Sequence, residues 1–78
     1  MNNVRILLQK NSRKIIVTYS IDDREADKNN SIYILNIALS NKLVYTTYED
    51  DFCNRCFILE GIHIKQLEEA YKQIEKLK

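Results

Sequence analysis

The 78-residue sequence holds one glycine, no proline, no tryptophan, one histidine and two cysteines. Each scarcity excludes something. With a single glycine there is no glycine-rich loop to cradle a phosphate. Two cysteines cannot frame a disulfide-rich secreted scaffold, and a Cys53–Cys56 bridge would close too short a loop to staple a fold. No run of eighteen or more apolar residues occurs, so no membrane-spanning helix is expected. The first residues, Met1 to Arg5, lack the long apolar stretch of a signal peptide. The expected compartment is therefore the reducing cytoplasm.

At this length the chain reads as one domain, residues 1–78. A chain this small buries only about 60% of its unfolded surface and often leans on a partner. Twelve basic and eleven acidic residues leave a net charge of +1, too little for a whole-molecule field that collects nucleic acid. The charge is unevenly spread. Residues 1–20 carry Arg5, Lys10, Arg13 and Lys14 and no acid, whereas residues 21–51 carry seven acids and three bases. Asn, Ile and Lys, all with AT-rich codons, supply 27 of the 78 residues, which fits a phage or mobile-element origin. No internal repeat is evident.

Apolar alternation predicts strands over residues 4–9, 14–21 and 43–48, with a short fifth strand over 56–60. Residues 32–39 are apolar at nearly every position, which predicts a central strand covered on both faces. Residues 22–31 and 49–55 read as acidic loops. Beyond Gly61, the spacing of Ile64, Leu67, Tyr71, Ile74 and Leu77 predicts an amphipathic helix over residues 64–77. The expected fold is α+β: an antiparallel meander of four to five strands with one C-terminal helix packed on one face. One helix cannot cover such a sheet, so a homodimer is expected, with Ile64, Leu67, Tyr71 and Ile74 as core or dimer seam.

Chemistry-bearing patterns are few. Cys53-Asn54-Arg55-Cys56 is half of a zinc site, and His63 is the nearest third ligand. The isolated pair is a weak signal, and two reduced cysteines at a strand start explain it as well. No metal or cofactor is expected. His63 is the sole histidine, with no nucleophile motif beside it, and the paired acids fall in predicted loops rather than pocket walls. An enzyme is not expected. The acids Asp22, Asp23, Glu25, Asp27, Glu49, Asp50 and Asp51 instead suit a surface that grips a protein partner. The alternative is single-stranded nucleic-acid binding, with Arg5, Lys10, Arg13 and Lys14 on a basic hairpin and strand tyrosines such as Tyr19 and Tyr45 as stacking platforms.

Gly61-Ile62-His63-Ile64, followed by a helix bearing Leu67, Tyr71 and Ile74, resembles the last strand and helix of a family of single-stranded-DNA-binding transcriptional coactivators. It covers about a quarter of the chain and lacks that family's tryptophan and polar helix cap. The resemblance implies a homodimer with a basic sheet face. Taken together, the sequence leads to a small non-catalytic binding protein, a regulator or inhibitor acting by protein–protein contact, with no membrane association.

Overall fold

The computed structural model describes residues 4–78; the signal-peptide reading of the first residues therefore lies largely outside it. The elements run β1 (Arg5–Gln9), β2 (Lys14–Ser20), α1 (Arg24–Ser40), β3 (Val44–Glu49), β4 (Asn54–Glu60) and α2 (Ile64–Glu75). The four strands form one antiparallel sheet in the order β1-β2-β4-β3. This is α+β, but not a meander with one helix. Two strand pairs, each followed by a helix, meet along β2 and β4.

The largest correction concerns residues 32–39. They form the second half of the 17-residue helix α1, not a central strand, and residues 24–31 form its first half, not a loop. An unbroken apolar run does not distinguish a strand from a buried helical segment. The flanking polar residues decide it. Asp23 caps the helix, its side chain accepting from the backbone N–H groups of Glu25 and Ala26 at 3.0 and 3.2 Å. Glu25 and Asp27 then place negative charge in the first turn, where it complements the helix dipole. The helix stops at Asn41, and Lys42 turns the chain with a positive φ. At the second helix, Gln66 Oε1 accepts from the His63 N–H at 3.0 Å, half of a capping box. The predicted strand at 56–60 extends back to Asn54.

Ile15, Val17, Tyr19, Phe57 and Leu59 point from the sheet toward the helices and are buried. They meet Ile34, Ile37 and Ala38 of α1 and Leu67, Ala70 and Ile74 of α2. Leu67 and Ile74 are thus core rather than dimer seam, and the partly buried Ile64 and Tyr71 pack against them. A Cβ at Gly61 would lie 2.6 Å from Leu43 Cδ2, so a larger residue there would displace the Leu43 side chain.

The two halves repeat, which the sequence does not disclose. β4 and α2 begin forty positions after β2 and α1 (54 after 14, 64 after 24). Val17 pairs with its own counterpart Phe57 across β2 and β4, so an approximate twofold axis passes between them. The loop hydrogen bonds obey the same operation: Ile21 N–H donates to the Cys53 carbonyl at 3.1 Å, and Gly61 N–H to the Arg13 carbonyl at 3.3 Å. Arg13 and Cys53, forty positions apart, both have positive φ, 53° and 60°.

Candidate interaction surfaces

Both helices lie on one face of the sheet, so the other face is open. Strand alternation assigns its residues, and the pairing registers arrange them in rows. The middle row runs Leu7, Ile16, Ile58, Thr46 across all four strands. One flanking row is Arg5, Thr18, Cys56, Tyr48, and the other is Gln9, Lys14, Glu60, Val44. Leu7 is 53% exposed and Val44 69%, while Ile16 and Ile58 are half-buried by their neighbours. Cys56 is buried between Thr18 and Tyr48, with its thiol 3.9 Å from Thr18 Oγ1. The neighbouring Cys56 thiol raises the Tyr48 hydroxyl above its ordinary pKa. The result is a shallow apolar stripe with a basic corner at Arg5.

The basic residues do not form one free cluster. Lys10 lies 3.5 Å from Glu68, and Lys14 lies 3.8 Å from Glu60. The tyrosines expected to stack do not share the open face. Tyr19 and Tyr45 point to the helix side, Tyr33 is on α1, and only Tyr48 among the strand tyrosines faces outward with Arg5.

The acidic residues likewise divide by task. Asp23 caps α1. Asp50 binds its own hairpin: its carboxylate accepts from the N–H groups of Phe52 and Asn54 at 2.8 and 2.9 Å and from Asn54 Nδ2 at 3.1 Å. These bonds, those to Asn54 foremost, lower its pKa. Asp27 sits on α1 and is engaged inside the molecule. Asp22, Glu25, Glu49 and Asp51 remain at the surface.

Around Asp27 lies a polar cluster that sequence reading missed. Arg55 grips its carboxylate with two bonds, Nε to Oδ1 at 3.2 Å and Nη2 to Oδ2 at 3.1 Å. The Tyr19 hydroxyl donates to Asp27 Oδ1 at 2.9 Å and lies 3.0 Å from Ser31 Oγ. The paired guanidinium holds Asp27 below the usual carboxylate range, and burial raises Tyr19 to about 12. The repeat explains what is unusual here. The counterparts of Arg55, Tyr19 and Asp27 are Ile15, Leu59 and Leu67, all buried and apolar. One half fills the site with hydrocarbon and the other with an ion pair. The nearby Asn30, whose counterpart is Ala70, is buried with no partner for Nδ2 among the described residues.

Among the described residues no three of His, Cys, Asp or Glu gather around one point, so Cys53, Cys56 and His63 are not brought together. Cys53 is exposed and Cys56 buried. No described helix is long and apolar enough to cross a membrane. No family model, curated protein or solved structure matches the chain.

Proposed function

We propose that the chain is a non-catalytic binding protein that works in the cytoplasm as a homodimer and holds a protein partner on its open sheet face. The observation that carries this is the row Leu7, Ile16, Ile58, Thr46, apolar in three of its four positions and left uncovered by either helix. Contiguous apolar surface rimmed by polar groups marks a contact site more often than an idle one. Arg5, Tyr48 and Lys14 at its margins supply the aromatic and cationic contacts in which interface anchors are rich. An acidic loop surface is less favoured, because Asp23, Asp27 and Asp50 are each occupied within the fold.

The test compares tagged wild-type protein with a Leu7→Lys/Ile58→Lys variant as bait in extract of the source cells. The partner is expected on wild-type protein and lost from the variant, with both folded by circular dichroism. Equal recovery on both would contradict the proposal. So would salt-steep binding of single-stranded oligonucleotide that disappears in a Lys10→Ala/Arg13→Ala/Lys14→Ala variant, the signature of a nucleic-acid binder.

A further inference from the structure

We infer that the second copy adds at the β3 edge, with strand β3 pairing antiparallel to β3 of the partner and helix α1 closing over the seam. This rests on the homodimer reading above and specifies its surface, the β3 edge that borders the open face.

The edges of the sheet are β1 and β3. All six residues of β3 are exposed, and it reads Val-Tyr-Thr-Thr-Tyr-Glu. It carries no lysine, proline or bulge of the kind that blunts a free edge, and its residues favour strand pairing. Helix α1 contacts both α2 and β3. Tyr33 turns toward α2, bonding the Gln73 carbonyl at 2.9 Å. At about 100° per residue, Leu35 falls on the flank of α1 opposite Tyr33, the flank toward β3, and Leu39 and Ile32 follow it round onto the outer face of the helix. Ile32 is 49% exposed, Leu39 67% and Tyr45, on the helix side of β3, 44%.

The repeat supplies an internal control for this stripe. The positions of Ile32 and Leu35 on α1 correspond to Lys72 and Glu75 on α2, both exposed. The fold itself therefore tolerates charge at these sites, and the half of the molecule that ends at β3 has hydrocarbon there instead.

The strand is complementary to itself. A twofold axis perpendicular to the sheet at Thr46 places Thr46 opposite the partner's Thr46, Val44 opposite the partner's Tyr48 and Tyr45 opposite the partner's Thr47. These are the aromatic and β-branched pairs that stabilise antiparallel ladders. The same register sets Lys42, exposed in the turn before β3, beside the partner's Glu49 and Asp50 at both ends of the seam. A twofold contact of this kind closes on itself. The apolar surface beside such a seam is the exposed parts of Val44, Tyr45 and Tyr48 on β3 and of Leu39 on α1. The dimer would be one eight-stranded sheet with its open faces continuous.

Sedimentation across micromolar concentrations, with site-directed cross-linking, tests this. Wild-type protein is expected at twice its 9.3 kDa chain mass. Ile32→Lys/Leu39→Lys, which puts at position 32 the lysine that its counterpart Lys72 carries, is expected to weaken self-association by about a hundredfold with an unchanged dichroism spectrum. In a Cys53→Ser background, Thr46→Cys is expected to form a disulfide-linked dimer on mild oxidation and Leu7→Cys, on β1, to form none. Should the lysine variant fail to fold, the cross-linking pair decides. A 9.3 kDa species throughout, a dimer indifferent to the two lysines, or linkage at Leu7 rather than Thr46 would overturn the inference. A dimer that forms as described but captures no protein on Leu7 and Ile58 would overturn the binding reading alone.

Discussion

Tyr33 donates its hydroxyl to the backbone carbonyl of Gln73 at 2.9 Å, and Gln73 is its own counterpart forty residues along the chain. The bond ties α1 to α2 near the approximate twofold axis that also pairs Val17 with Phe57. Tyr33→Phe keeps the ring and removes the bond. A loss of about 1 kcal/mol of unfolding free energy is expected by urea denaturation; no loss would mean that packing and the Asn41–Gln73 and Gln66–Asn41 bonds hold the helix pair without it.

The Asp27 cluster makes stability depend on pH at both extremes. Its folded pKa is lowered, first by the hydrogen bonds from Arg55. Its contribution is complete above the unfolded value of about 3.9 and disappears as pH falls through the lower folded value. Tyr19 is raised to about 12, so its contribution is complete below about 10 and is lost as pH rises toward the folded value. Thermal unfolding from pH 5 to 2 should fall less steeply in Asp27→Asn, and from pH 9 to 12 less steeply in Tyr19→Phe. At pH 7, Asp27→Asn should cost about 2–3 kcal/mol, since it strips Arg55 of its charge partner in a largely buried setting. Parallel pH profiles in wild type and variants would contradict this assignment.

Asn30 supplies a prediction of the opposite sign. It is buried and Nδ2 lacks a partner among the described residues, while the other half has Ala70 at that position. Asn30→Ala removes an unsatisfied donor at a site whose counterpart accepts alanine. Stability is expected to rise by about 1 kcal/mol in denaturant unfolding; a fall of similar size would mean that the amide has a role in the native state.

The four strands and α2 were legible because their apolar residues alternate or recur at helical spacing, as in Ile15, Val17 and Tyr19 or Leu67, Ala70 and Ile74. Helix α1 was not, because Ile32 to Leu39 is apolar on every side and hides its period. The available signal was Asp23 followed by Glu25 and Asp27, a helix start rather than an acidic loop. The repeat was invisible since, between positions 14–38 and 54–78, only Ile34 and Ile74 are the same residue. The open face could not be read without knowing that β4, not β3, lies beside β2. Arg55 is distant in sequence from Tyr19 and Asp27, and only that strand order brings it beside them.

The edges of the sheet give the most direct measurement. If β3 is where the molecule meets its second copy, hydrogen exchange of the Val44–Glu49 amides should slow as protein concentration rises from low to high micromolar, while exchange along Arg5–Gln9 stays unchanged. Exchange at β3 that is fast and independent of concentration, or protection that appears at β1 instead, would contradict it.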